Sequence, residues 1–355
     1  MIVISDPREP EAAIPGQAIP EAYTSFRILH VNPLITISAT TPQTPAGLAS
    51  VAADIVGDRP ALHLLHPSWT MESGAARAAI DAVQAASLLM PKSEFLLLAS
   101  NDQEILAFDS LGGRSIMGNG LIMTDERIWY PEPVDARAPR YDAVYNARLD
   151  DWKRHELAAS IDRLLLVYNP TVEAKLDEAV GRIRKLLPRA IFANHDFTGG
   201  DYRPFDPSRV RGLLGQSQVG LCLSAVEGIM RASMEYLLSG LPVVSTKSIG
   251  GRDRYFGTSY CRIVSTDDPD AISRAVGELS ALNLDRSRIR DHVGQVLAFE
   301  RYNFLATLNA LIRRQFGLGH DLFPTMTPFL GSVAKFYSVT ELRRTLTAAL
   351  EQTTT

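Results

Sequence analysis

Glu227-Gly-Ile-Met-Arg-Ala-Ser-Met-Glu235-Tyr-Leu-Leu-Ser-Gly240-Leu-Pro-Val-Val-Ser245 is the stretch from which the fold of this chain is read. The apolar run just before it, Val219-Gly-Leu-Cys-Leu223, predicts a short buried parallel strand, Ser224 opens a turn, and residues 228–238 are predicted as a helix. Gly240 ends that helix, Pro242 cannot continue it, and Val243-Val244-Ser245 begins the next strand. The result is a strand-helix-strand unit with Gly228 at the helix mouth. Backbone N–H groups and the positive end of the helix dipole make such a mouth suited to phosphate.

The two glutamates are eight positions apart, which on a helix is roughly 80° of rotation and about 12 Å of rise. That is the span from a sugar, across a diphosphate, to a ribose. Carboxylates accept hydrogen bonds from sugar and ribose diols, and the helix mouth between them suits the phosphates. A nucleotide-sugar satisfies all three demands. The plainer reading makes Glu227 a carboxylate that complements the helix dipole and Glu235 a solvated helix residue.

The surroundings of the pair add a resemblance. Residues 221–251, with their E-x7-E spacing, the glycine after the first glutamate, Gly240-Leu-Pro-Val-Val244 and Gly250-Gly251, resemble the donor-site motif of retaining GT-B glycosyltransferases of group 1. A second segment agrees. Tyr141-Asp-Ala-Val-Tyr-Asn-Ala-Arg148-Leu-Asp-Asp-Trp-Lys153-Arg-His-Glu-Leu157 resembles that family's strand-loop-helix in which an arginine and a lysine five residues later grip the donor diphosphate. Ala147 stands where the family usually has glycine. Two cations at a strand end neutralise phosphate and the charge that develops on a leaving diphosphate. Without the resemblance, they would merely flank an exposed helix start, where cations are mildly unfavourable.

The resemblance implies an α/β chain of the GT-B type: two Rossmann-like domains with parallel sheets facing a cleft, and a C-terminal helix crossing back. It places a shortened N-terminal acceptor domain at 1–135, a nucleotide-sugar donor domain at 136–320 and a C-terminal helical segment at 321–355, with 299–316 or 339–351 as the crossing helix. It implies Arg148, Lys153, Glu227 and His66 as the catalytic set, and Glu235, Gly228, Ile229, Met230, Gly250 and Gly251 as donor-binding residues. His66 ends a strand just before Pro67-Ser-Trp69, whereas His63, on the opposite face by period-two alternation, is expected to be structural. The implied reaction moves a sugar from a nucleotide-diphosphate donor, a UDP- or GDP-sugar, to a glycan, lipid, protein or metabolite acceptor. It proceeds with retention at the anomeric carbon, without metal and without a cofactor. A GT-B epimerase or hydrolase, or a catalytically silent nucleotide-binding module or partner subunit, are the alternatives. The match is good over 141–251 and loose over the first domain, where 32–42 carries no glycine.

Composition agrees with this reading. The 355 residues are 46% hydrophobic and 21% charged with a net charge of −4, an ordinary globular balance that offers nucleic acid no basic surface. Two cysteines, Cys222 and Cys261, exclude a disulfide framework and a cysteine-based zinc cluster. The Pro-rich, acidic N-terminus is not expected to act as a signal peptide, no run reaches membrane-span length, and membrane contact is expected to be peripheral and weak at most; a cytoplasmic setting is expected.

Strand and helix patterns alternate along the chain. Strands are expected at 26–32, 61–66, 95–100, 163–168 and 190–193, helices at 74–90 and 172–187, a Thr/Pro-rich loop at 38–45, a linker at 131–140 and a mostly helical region after 271. Asn194-His195-Asp196 is a metal cluster only at first sight, because its spacing is adjacent rather than convergent. Arg252 and Arg254 are expected in a solvated loop, and Trp69 and Trp129 as packed aromatics.

Overall fold

In a computed structural model the described residues are 23–71, 75–133, 140–169, 175–317, 319, 321, 322, 324 and 335–351. They separate into two compact units, one comprising Met1–Met123 with Glu300–Thr355, the other Thr124–Phe299. Most of the linker expected at 131–140 lies outside the described residues, as do the N-terminal segment and Gly74.

The first unit begins with strands β1 (Tyr23–Val31) and β2 (Leu34–Thr40), followed by α1 (Ala49–Val56), β3 (Ala61–Pro67), α2 (Ala75–Leu89), β4 (Ser93–Ala99), α3 (Asp102–Ser110) and β5 (Ser115–Met117). β2 to β5 are parallel neighbours in chain order. β1 runs antiparallel to β2. This corrects the sequence reading of the first strand: residues 26–32 are not the first parallel strand but an added antiparallel one, and 34–40, taken in part for a loop, is the strand that starts the parallel set. Leu34-Ile-Thr-Ile-Ser-Ala-Thr40 alternates apolar and hydroxyl residues yet is buried on both faces, so its polarity hid it.

The second unit is built from β6 (Tyr141–Asn146), β7 (Leu164–Val167), α4 (Leu176–Leu186), β8 (Ile191–Phe192), α5 (Ala193–Asp196), α6 (Pro207–Gly215), β9 (Ser217–Cys222), α7 (Arg231–Leu238), β10 (Val243–Thr246), β11 (Cys261–Val264) and α8 (Pro269–Ala281). Its sheet is parallel throughout, in the order β8-β7-β6-β9-β10-β11. Numbered within the unit, that is 3-2-1-4-5-6, the doubly wound order. Such a sheet reverses direction of growth between its first and fourth strands, and ligands bind outside the carboxyl ends of the strands at that point. Here the point lies between β6 and β9. Three sequence boundaries move: the helix expected at 172–187 is α4, the strand at 190–193 shortens to β8 because Ala193 already starts α5, and the helix expected from 228 begins only at Arg231.

The long helix α9 (Arg286–Phe316), strand β12 (Lys335–Ser338) and helix α10 (Val339–Glu351) complete the chain. β12 was not foreseen; it pairs antiparallel with β1, so the first sheet runs β12-β1-β2-β3-β4-β5. Leu342, Leu346 and Leu350 sit on one face of α10 by their i, i+4 spacing and are buried in the core of the first unit with Phe26, Leu34, Val56 and Phe108. No helix among the described residues is long and apolar enough to cross a membrane.

Candidate donor site

Two chain segments leave the sheet of the second unit at its switch point. After β6 come Ala147 and Arg148, then a 3-10 turn, Asp151–Lys153. After β9 come Ser224 and Glu227, then α7. The Lys153 ammonium donates to Glu227 Oε2 at 2.6 Å, and both side chains are buried, at 6% and 7% exposure. Ser224 Oγ donates to the same carboxylate oxygen at 2.7 Å. Burial pushes the lysine pKa down, and the Glu227 carboxylate offsets part of that shift. Isolated, neither charge would be tolerated at such depth; as a hydrogen-bonded pair they are.

The Trp152 ring, which sequence reasoning missed, organises the cations. Lys153 Nζ lies 3.9 Å and Arg148 Cζ 5.5 Å from its centroid, and its indole N–H donates to Asp150 Oδ2 at 3.2 Å. Arg148 is partly exposed, with Nε 3.4 Å from Asp150 Oδ2. The turn itself is fixed from behind, since Tyr145 Oη donates to the Lys153 carbonyl at 2.6 Å. Arg154, in the left-handed region at φ +52°, donates to the Leu223 carbonyl and to Thr246 Oγ1 at 2.7 Å each.

Glu227 is not on the helix. Its N–H donates to the Ile249 carbonyl at 2.9 Å, and the Gly251 N–H donates to the Gly228 carbonyl at 2.8 Å. The loop after β9 is therefore zipped to the loop carrying Gly250 and Gly251, and the E-x7-E spacing does not describe two points on one helical surface. The zipper leaves three residues of loop before the helix, so the helix mouth is formed by Met230 and Arg231 rather than Gly228. Met230, at the N-cap, offers no side-chain acceptor. A helix start without a capping side chain keeps its donors for an anion. Ile229 is half-buried and Met230 buried.

Arg252 corrects the sequence reading most sharply: it is fully buried instead of solvated. Its guanidinium donates to the Ser224 carbonyl, Ser245 Oγ and the Thr246 carbonyl at 2.7 Å each, to Ser224 Oγ at 3.2 Å, and pairs with Asp253 at 2.7 Å. One side chain thereby ties the ends of β9 and β10 to each other and fixes the serine that holds Glu227. The signal available beforehand was only an arginine next to two glycines.

Glu235, one turn into α7, accepts from Asn146 Nδ2 at 3.0 Å, and the Asn146 N–H donates to Tyr236 Oη at 2.6 Å. Desolvation raises the Glu235 pKa to about 7. It lines a cavity of about 180 Å³ together with Asn146, Trp129, Tyr168 and Asn194. Asn194 is a structural tie, accepting from the Tyr168 N–H at 2.9 Å, and His195 Nδ1 meets Tyr168 Oη at 2.5 Å. Among the described residues no group of three or more His, Cys, Asp or Glu side chains is arranged to hold a metal.

The second unit thus brings together Arg148, Lys153, Glu227, Gly228, Gly251 and the start of α7, with Glu235 a turn further on. His66 belongs to the first unit, half-buried near the end of β3. His63 is buried, hydrogen-bonded to Thr36 Oγ1 at 2.8 Å and stacked on Phe95, and burial lowers its pKa to about 4.

Neither a protein-family model nor a curated protein sequence matches the chain. Solved structures do. The UDP-forming α,α-trehalose-phosphate synthase of Burkholderia xenovorans, solved in complex with glucose-6-phosphate, aligns with a TM-score of 0.50 at 14% identity, covering 76% of this chain and 72% of that one. Sucrose-phosphate synthase of Thermosynechococcus elongatus aligns at 0.49 and 17%, covering 71% and 69%. Anabaena HepE in complex with UDP and glucose aligns at 0.46 and 16%, covering 73% and 76%. The chain has the fold of the GT-B glycosyltransferases, the class its sequence motifs resemble.

Proposed function

We propose that the chain is a retaining glycosyltransferase that takes its sugar from a nucleotide-diphosphate donor, UDP- or GDP-linked, and needs no metal. The observation that carries this reading is the convergence, at the switch point of the doubly wound sheet, of two cations after β6 with a buried glutamate and an uncapped helix start after β9. Open α/β sheets bind their ligands at that point.

In this reading Arg148 and the start of α7 hold the diphosphate, and Lys153 shares its ammonium between Glu227 and a phosphate oxygen. Glu227 accepts from sugar hydroxyls, and Glu235 accepts from the ribose diol. The bond from the anomeric carbon to the diphosphate oxygen breaks as an acceptor hydroxyl attacks from the same face. As that bond breaks, its electron pair leaves with the diphosphate and charge builds on the phosphate oxygens beside Arg148 and Lys153, where positioned cations stabilise it most; the departing diphosphate then takes the hydroxyl proton. Gly250 and Gly251 line the donor through their backbone, and His66 is the candidate catalytic residue of the first unit.

The test is release of nucleoside diphosphate from UDP- and GDP-sugars with EDTA present, with the product anomer read by ¹H NMR. The expected result is release from one nucleotide family, unaffected by EDTA, with the donor's anomeric configuration kept. An inverted product, or release that stops when EDTA is added, contradicts the proposal.

A further inference from the structure

We infer that Arg154 is a positioning residue of the donor site: its guanidinium braces the turn that carries Lys153 against the ends of β9 and β10, so that the ammonium keeps its place while a phosphate shares it. The catalytic half of this inference rests on the transferase reading; the bracing does not. The backbone singles the residue out first. Arg154 joins two short 3-10 turns, Asp151–Lys153 and His155–Ala158, with φ +52° and ψ +50°. Its N–H closes the first turn on the Asp151 carbonyl at 2.9 Å, and its carbonyl accepts from the Leu157 N–H at 3.1 Å in the second. Left-handed backbone of this kind suits glycine and is uncommon for a long side chain. An arginine held there points to a use for its side chain.

The partners show that use. Nε donates to the Leu223 carbonyl at 2.7 Å, Nη2 to Thr246 Oγ1 at 2.7 Å and Nη1 to Asp267 Oδ1 at 2.8 Å. Leu223 and Thr246 are buried, and Thr246 Oγ1 itself donates to the Leu223 carbonyl at 3.0 Å, so the guanidinium closes a triangle of hydrogen bonds across the ends of β9 and β10. Asp267 is exposed, and an ion pair with an exposed partner contributes little. The planar fork of donors is what reaches both strand ends at once, and a lysine ammonium cannot copy it.

Two tethers therefore join the same two segments. Arg154 holds the turn to Leu223, and its neighbour Lys153 holds Glu227, in the loop that follows, at 2.6 Å. The ionic tether is the one a phosphate competes for, because the ammonium then turns part of its hydrogen bonding from Glu227 to the ligand. The guanidinium tether ends on a carbonyl and a hydroxyl and takes no part in that exchange. Tyr145 Oη holds the Lys153 carbonyl from behind, and Arg154 holds the next residue from the side of β9 and β10, so the turn stays docked while Lys153 changes partner. Placement matters at this point, since a shift of about 1 Å in a catalytic group costs on the order of a hundredfold in rate.

The test uses the full chain. Arg154→Gly removes the guanidinium while accepting the left-handed backbone, and Arg154→Lys keeps the charge without the fork. Amide hydrogen exchange over residues 150–157 is read with no ligand present, and nucleoside diphosphate release from UDP- and GDP-sugars gives kcat and KM. In Arg154→Gly, exchange over that segment is expected to rise by about tenfold or more, and kcat to fall by about tenfold to a hundredfold with a smaller change in donor KM. Guanidinium chloride, added well below denaturing concentration, is expected to reverse part of both effects, and Arg154→Lys to stay as slow as Arg154→Gly. Exchange unchanged in Arg154→Gly, kcat unchanged beside an active parent, a loss that guanidinium leaves untouched, or full activity in Arg154→Lys overturns the inference. A parent chain that releases no nucleoside diphosphate from any donor instead overturns the transferase reading, and the exchange measurement still decides the bracing, so the two failures are told apart.

Discussion

At the residue scale, the Lys153–Glu227 pair holds two charges away from water, with one hydrogen bond between them and a second donated to Glu227 by Ser224. Removing one member leaves the other buried and unpaired, which costs about 3–5 kcal/mol. Lys153→Met is therefore expected to lower unfolding free energy by that order, and Lys153→Met with Glu227→Leu to cost clearly less than the two single changes summed, as a denaturant double-mutant cycle will read. Glu235 makes a pH-dependent contribution. Its carboxyl pKa in the folded chain, about 7, lies above the ordinary 4.5, so the folded state holds the extra proton between those values. Its contribution to stability is present below pH 4.5 and is lost as pH rises through 7. Glu235→Gln is expected to flatten the fall in unfolding free energy across that window. Nucleotide binding should run the opposite way, strengthening as pH rises through 7, because only the carboxylate can accept both ribose hydroxyls.

At the element scale, the contact between β9 and α7 decides where Glu235 stands. A Cβ on Gly220 would lie 2.4 Å from Tyr236 Cδ2, and Tyr236 Oη is the acceptor for the Asn146 N–H. Gly220→Ala is expected to displace the tyrosine, cost about 1–3 kcal/mol by overpacking and weaken nucleotide binding with it; calorimetry on the variant checks both effects. The element scale is also where the sequence was most and least legible. Val219 to Leu223 and Val243 to Ser245 announce buried strands because apolar runs have few other uses, and Gly240-Leu-Pro242 ends a helix for steric reasons. The start of α7 was misplaced by three residues because the zipper between the loops at 225–228 and 249–251 is a long-range pairing without local signature. Arg252 was misjudged for the same reason: its acceptors are carbonyls and hydroxyls supplied by two other segments, and carbonyls are invisible in a sequence. Trp152 was passed over because a tryptophan between two cations looks like any aromatic until its ring is placed.

At the scale of the whole molecule, each unit closes its own core around its own sheet, and the C-terminal segment belongs to the first. Leu342, Leu346 and Leu350 reach that core from the far end of the chain, and Arg343 donates to the Val51 carbonyl at 2.8 Å beside them. Leu346, with no exposed surface, is expected to cost about 2–5 kcal/mol on truncation to alanine, as denaturant unfolding of the variant will show. Nucleotide affinity, which belongs to the second unit, is expected to stay unchanged in the folded variant. The central claim concerns that second unit, and thermal denaturation with added UDP, GDP, ADP, CMP and dTDP tests it most directly, with Glu235→Ala and Arg148→Ala alongside. A nucleotide present at a hundred times its Kd adds about 2.7 kcal/mol of stability. The expected result is stabilisation by UDP or GDP, lost in both variants; a parent chain that none of the five stabilises would contradict the donor site altogether.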